Sequence, residues 1–179
     1  MKATGIQIAQ RDDAQAFDRL VGEQQDWLYN LAYRLTGDAQ AASAAVEQTL
    51  AQACQDLTAL QPGSARLWLA RFAVRACWTE LRRRGDLLVP GTPEAPDPAS
   101  PDGGGPPGLD PQNCPVVEEE IQRCLDRLPL AERTVLVLVD VLGLGYAEAA
   151  QVTGKPLSTV SRRLAKARVH LDELLKAGA

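Results

Sequence analysis

Two groups of residues have the types and spacing to do chemistry, and in both that chemistry is recognition of phosphates and bases. Thr159, Arg162, Arg163 and Lys166 fall on one line of a helix at 3.6 residues per turn. About a third of a turn away, Val160, Leu164, Ala167 and Leu171 form an apolar line. A helix that buries one stripe and presents cations and hydroxyls beside it has the form needed to lie in a DNA major groove. Its N-terminal residues approach base edges, while Arg and Lys further along hold phosphates. The alternative is a solvated amphipathic helix in a bundle. In the second group, Arg66, Arg71, Arg75 and the Arg82-Arg83-Arg84 cluster interleave with Trp68, Phe72 and Trp78. Cations and rings together fit single-stranded nucleic acid, with phosphates neutralised and unstacked bases resting on aromatics. Here the alternative is that the rings pack a core and the arginines are solvated, with the terminal three also favoured by the helix dipole.

Catalysis has little to work with. There is no phosphate loop, metal set or nucleophile–base pair, and the single histidine, His170, offers little acid–base capacity, so an enzyme is not expected. Cys54, Cys77, Cys114 and Cys124 are separated by 23, 37 and 10 residues and form no CxxC pair. We therefore expect no metal and no cofactor, and read the cysteines as small buried apolar side chains. A Cys114–Cys124 redox pair is the other reading of that spacing.

The elements that must position these residues are helices. A chain of 179 residues holds one ordinary domain or two small ones. Its 45% hydrophobic content with 4% aromatics points to an all-α soluble fold. Nine of the twelve prolines and five glycines fall between Asp86 and Pro115, a composition that cannot pack a core and reads as a flexible linker. The expected division is an N-terminal tail (1–11), a front helical domain (12–85), the linker (86–115) and a rear domain (116–179) containing a helix-turn-helix.

The front domain reads as three helices. The first spans about 13–35 and ends at Gly37. Asp38 caps a second to about Leu60, with Ala42, Val46, Leu50, Ala53 and Leu57 on one face. After Pro62-Gly63, Ser64 caps a third to Arg84. In the rear domain a helix at 117–128 precedes Pro129 and another begins near Ala131. The β-branched run 134–142 has strand propensity, but it leads through Gly143 into the helix-turn-helix and has no partner strand, so a helix is expected. In the motif itself, Ala150 suits a close helix crossing, Gly154 an αL helix end and Pro156 a stop, with Ser158 or Thr159 capping the next helix.

The net charge of −4 hides its distribution. Residues 66–84 carry six arginines against Glu80, a local +5, and residues 155–176 carry six cations against Asp172 and Glu173, a local +4. Residues 85–122 carry no cation and a charge of −8. Two basic segments around an acidic one suit a nucleic-acid binder better than the total implies. No stretch approaches the ~20 apolar residues of a membrane span, and the N-terminus lacks a signal-peptide core, so a cytoplasmic protein with no membrane insertion is expected.

This arrangement resembles the extracytoplasmic-function sigma factors, the small two-domain members of the sigma-70 family. Residues 125–168 (LDRLPLAERTVLVLVDVLGLGYAEAAQVTGKPLSTVSRRLAKAR) carry the rear match, with the Leu128-Pro129 start, the Gly143-Leu144-x-Tyr146 approach and the Thr159-Val160 entry. The front match includes LAYRLTGD at 31–38, Val46 with Thr49, SARLWLARFA at 64–73, and Leu81-Arg82-Arg83.

The resemblance implies a promoter-specificity subunit of bacterial RNA polymerase. The helix at 38–57 would bind the polymerase clamp, with Asp38, Glu47 and Gln48 as contacts. The 58–64 loop and the next helix would hold the melted −10 strand through Trp68, Arg71, Arg75, Trp78, Arg82 and Arg83. The rear domain would read the −35 duplex through Ser158, Thr159, Ser161, Arg162, Arg163 and Lys166 while docking on the polymerase flap. An anti-sigma factor is a family expectation. The acidic linker is either an occupant of a channel built for RNA or a soluble tether. The chain departs from the family in its clamp helix, where Ser43-Ala44, Glu47-Gln48, Leu50 and Cys54 replace acidic and aromatic residues. Further departures are Val74-Arg75 and Thr79 in the −10 helix, and Ser158, Ser161 and Arg162 in the recognition helix. They imply an atypical promoter preference and leave a second reading, a sigma-like mimic that binds a regulator with weakened or lost polymerase binding. A stand-alone helix-turn-helix repressor is a third, and it leaves the front domain unexplained.

Overall fold

The computed structural model describes residues 21–56, 65–85 and 115–178. The readings of the N-terminal tail, the 58–64 loop, the Ser64 cap, Cys114 and most of the linker lie outside these residues. Every regular element among them is helical.

Helix α1 (21–36) buries Leu28, Leu31, Ala32 and Leu35 at the i, i+3, i+4, i+7 spacing of one helix face. It ends at Gly37, whose φ of 70° allows its N–H to reach the Tyr33 carbonyl at 2.8 Å. Asp38 then caps α2 (Ala39–Gln55) by accepting from the Ala41 N–H at 2.7 Å. The buried face of α2 consists of Ala41, Ala42, Ala45, Val46, Thr49 and Ala53. Such small side chains let α3 (Ala65–Arg84) approach closely with Ala70, Ala73, Ala76 and Cys77. The expected end of α2 near Leu60 is too late: the helix stops at Gln55, with Asp56 leaving helical geometry (φ −115°, ψ 26°). Leu50 is half-buried, the face being carried instead by alanines and by Thr49, which donates to the Ala45 carbonyl at 2.7 Å.

In the rear half, α4 (Pro115–Arg127) and α5 (Leu130–Leu136) are followed by a π-helical turn over Val137–Val141. The β-branched run is helical because Val135, Leu136, Val137 and Leu138 are all buried. A helix covered on every side is stabilised by packing, which outweighs the small propensity penalty of valine. Helices α6 (Tyr146–Thr153) and α7 (Leu157–Gly178) complete the chain. α7 packs against α4, α5 and α6 through Val160, Leu164 and Ala167, each at most 1% exposed.

The two halves pack together, and their buried residues form one continuous hydrophobic cluster. Gln122 on α4, 6% exposed, donates to the carbonyls of Tyr33 and Arg34 at 3.5 and 3.4 Å. Arg133 on α5, 7% exposed, donates to the Leu35 carbonyl at 2.8 Å. These carbonyls belong to the last turn of α1, where the helix supplies no donors of its own and a cation is favoured. Burial pushes the Arg133 guanidinium pKa down, and Asp126 opposes this by pairing with it at 3.2 Å. A Cβ at Gly37 would stand 2.4 Å from the Asp126 carboxylate, so glycine serves there both the turn and the close approach. At the other end of the interface, Trp78 Nε1 donates to Thr134 Oγ1 at 3.1 Å.

Candidate nucleic-acid interface

The helix-turn-helix is built from α6 and α7. Glu148 accepts from the Gly145 N–H at 2.7 Å and so fixes the start of α6. Gly154 ends it in the left-handed region, φ 64° and ψ 28°, and the Lys155 N–H reaches back to the Ala150 carbonyl at 3.2 Å. Ala149, fully buried, makes the close crossing; Ala150, the residue expected there, is half-buried. Because α7 begins at Leu157, Ser158 and Thr159 lie inside its first turn and are not its cap. Ser158 and Ser161 are exposed and Thr159 is half-buried. Arg162 and Arg163 are half-buried and Lys166 is exposed.

The rotation of α7 is fixed by a pair that the sequence reading did not single out. Asp140, on the π turn, accepts from Arg168 Nε and Nη2 at 2.9 and 2.7 Å. Such a fork-to-fork pair sets orientation as well as energy. The signal available was Asp140 itself, a lone acid in an apolar run. His170 Nδ1 and Glu132 Oε2, 2.7 Å apart, tie the same helix to α5 further along.

On α3, Arg66, Arg71, Arg75, Arg82 and Arg83 are exposed, and Arg66 lies over the Trp27 ring at 4.5 Å. Trp68 is 8% exposed and meets Phe72 edge-to-face, so its ring is spent on the front core and the base-stacking expectation fails for it. Trp78 is half-buried, with its indole N–H committed to Thr134. Glu80, also missed from sequence, organises the arginine cluster. It accepts from Arg83 at 3.0 and 2.7 Å and from Arg84 at 3.0 Å, and Arg84 continues to Asp38 at 2.7 Å. The Arg83 and Arg84 hydrogen bonds pull the Glu80 carboxyl down to about 2.

Asp38 is thus both the cap of α2 and the far end of this network, and its pKa is lowered first by the Ala41 N–H and then by Arg84. Glu47 is exposed and Gln48 half-buried, on a face otherwise made of uncharged residues such as Ser43, Ala44, Ala51 and Cys54. The cysteines divide: Cys77 is buried, with its thiol pushed up to about 12 by burial, whereas Cys54 is exposed, contrary to expectation.

The structure brings Arg71, Arg75, Trp78 and Arg82 of α3 together with Lys155 and Arg163 of the helix-turn-helix, around one cleft of about 840 Å³ between the two halves. Among the described residues no group of His, Cys, Asp and Glu could hold a metal ion, and no helix is long and apolar enough to cross a membrane.

A helical protein with one arginine-lined helix in its front half and a helix-turn-helix in its rear half is a nucleic-acid-binding type of molecule. Residues 20–86 match the family model Sigma-70 region 2, and residues 118–171 match Sigma-70, region 4. The chain is 31% identical over 178 residues to the ECF RNA polymerase sigma factor SigE of Mycolicibacterium smegmatis, covering 97% of this chain and 65% of that protein. It is 30% identical over 145 residues to EcfG of Rhodopseudomonas palustris, covering 80% and 76%. The fold is similar to the sigma factor RpoE of Bartonella quintana in its complex with the anti-sigma factor NepR, with a TM-score of 0.69, 21% identity and coverage of 90% and 98%. It is also similar to CnrH in complex with the cytosolic domain of CnrY, with a TM-score of 0.66, 22% identity and coverage of 93% and 91%. The chain belongs to the extracytoplasmic-function sigma factors of the sigma-70 family. Members of this family are transcription regulators and not enzymes.

Proposed function

We propose that the chain is a cytoplasmic promoter-specificity factor of bacterial RNA polymerase. Its front domain (12–85) engages the clamp and the melted −10 strand. Its rear domain (116–179), joined through the linker at 86–115, reads the −35 duplex and docks on the flap. The observation that carries this is α7: Val160, Leu164 and Ala167 are buried while Ser158, Ser161 and Lys166 are exposed beside them, directly after a left-handed Gly154 turn. That is the disposition by which a helix backed by a partner presents its first turns to a groove. Arg71, Arg75 and Arg82, exposed on α3, are the cations for the single strand, with Trp78 as the remaining aromatic candidate.

The second reading, a sigma-like mimic that binds a regulator, draws on α2. Its solvent face offers Glu47 as a lone acid among uncharged residues, and Asp38 is already engaged by Arg84. An anti-sigma partner is a family expectation, and the sigma factor RpoE of Bartonella quintana was solved with its anti-sigma factor NepR bound. The deciding experiment is binding of the purified chain to core RNA polymerase, followed by run-off transcription from the promoter upstream of its own gene. Binding with a transcript is expected. A folded protein that neither binds nor initiates refutes the first reading and supports the mimic.

A further inference from the structure

We infer that the cleft between the two halves is a binding site for a short chain of phosphates, of the kind a nucleoside polyphosphate carries, and that it draws its cations from both halves. The site goes beyond the proposed function, and its occupancy is measurable whether or not the chain binds polymerase. The cleft encloses about 840 Å³, within the ~300–1,000 Å³ usual for small-molecule sites. Arg71, Arg75 and Arg82 line it from α3, and Lys155 and Arg163 from the helix-turn-helix. Among the described residues Asp56 is the only acid in the lining, and five cations against one acid leave a net +4. Other cations at contacts between elements are matched. Arg133 meets Asp126 at 3.2 Å, Arg168 meets Asp140 at 2.7 Å and Arg84 meets Asp38 at 2.7 Å. Arg71, Arg75, Arg82 and Lys155 have no such carboxylate among the described residues. Like charges gathered around a concave site raise the local potential and draw in an anion.

The chemistry of the lining selects the anion. Guanidinium groups present forked donors that match phosphate oxygens, and Lys155 adds a compact point charge. Several cations around one space fit an anion that carries several charges along a short chain; a lone carboxylate leaves most of them unmatched. The amides of Gln52 and Gln55 on α2 add neutral donors and acceptors to the same lining. Half-buried Phe72 and Trp78 offer ring surface to a base, the Trp78 N–H being held by Thr134. On the proposed function, Arg71, Arg75 and Arg82 also hold the melted −10 strand, so ligand and strand compete for the same cations. That antagonism, and it alone, rests on the proposed function.

The test is isothermal titration calorimetry of the full chain with two probes, ATP without magnesium and inorganic tripolyphosphate. Both are expected to bind the wild type at a single site, ATP more tightly because it adds a base to the phosphate chain. Equal affinity for the two assigns the site to an inorganic phosphate chain. Lys155→Ala and Arg75→Ala, one exposed cation from each half, should each weaken binding about tenfold, the size of one charge-assisted hydrogen bond. Arg123→Ala removes an exposed cation on α4 outside the cleft and should leave the affinity unchanged. All three side chains lie on the exposed surface, and circular dichroism checks that the helices are kept. No binding to the wild type, or binding to Lys155→Ala as tight as to the wild type, overturns the site. An equal loss in all three variants also overturns it, since that is diffuse attraction to charge. In fluorescence anisotropy, ATP should raise the apparent Kd for a single-stranded −10 oligonucleotide from upstream of its own gene; ATP that binds without displacing the strand overturns the antagonism. Run-off transcription with core polymerase separates the two ideas: no transcript defeats the sigma reading, while calorimetry alone decides whether the phosphate site exists.

Discussion

Glu80→Gln tests how the arginine face of α3 is held. The Glu80 side chain, 9% exposed, accepts three hydrogen bonds from Arg83 and Arg84, and its carboxyl falls from 4.5 to about 2. At full value that depression is worth ~3 kcal/mol, since one pKa unit is about 1.4 kcal/mol. Arg83 is 70% exposed and screened by solvent. The realised contribution is therefore about 1–2 kcal/mol, shared mainly with the less exposed Arg84. The folded-state value is the depressed one, so the stabilisation is complete above the unfolded value of 4.5. It is lost progressively as pH falls through about 2. Urea unfolding of wild type and variant at pH 7, 4 and 2.5 should show a gap of about 1–2 kcal/mol at pH 7, most of which has disappeared at pH 2.5. A gap that stays constant across this range would refute the ion-pair account and leave Glu80 as a packing residue.

Further outcomes follow from other sites. Lys166→Ala should weaken duplex binding and lower the slope of log affinity against log salt by about one if the amine meets a phosphate; an unchanged slope makes it a solvated surface charge. Leu164→Ala, at a side chain 1% exposed on the stripe that backs the recognition helix, should cost ~2–5 kcal/mol in a denaturant titration, and a loss below about 1 kcal/mol would mean that α7 is not anchored there. Under native conditions a thiol reagent should label Cys54 readily and leave Cys77 untouched until the protein unfolds, because burial holds that thiol near 12; fast labelling of Cys77 would contradict its burial.

The local features were legible in the sequence because periodicity and turn chemistry act over a few residues. The stripe Val160, Leu164 and Ala167, the left-handed Gly154 and the cap at Asp38 are of this kind. Three features were of another sort. The alanine-rich α2 carries weak amphipathic contrast, so its end was extended to Leu60 when the helix stops at Gln55. Trp68 and Trp78 occur in the same arginine-rich pattern, yet Trp68 is spent on the core and Trp78 on the far half of the molecule. The contact between the halves pairs Gln122 with Arg34 and Arg133 with Leu35, 88 and 98 residues apart, across a segment whose composition speaks only of flexibility. Contacts at such separation leave no periodic trace. The match to the family likewise describes each half and not how the two meet.

The shared cleft has an electrical consequence. Arg71, Arg75 and Arg82 face Lys155 across it, and among the described residues Asp56 is the only acid in its lining, so bringing the halves together concentrates like charge. Mobile ions screen that repulsion, most fully between charges further apart than the Debye length of ~8 Å at 0.15 M, and so added salt favours the packed arrangement of the two halves.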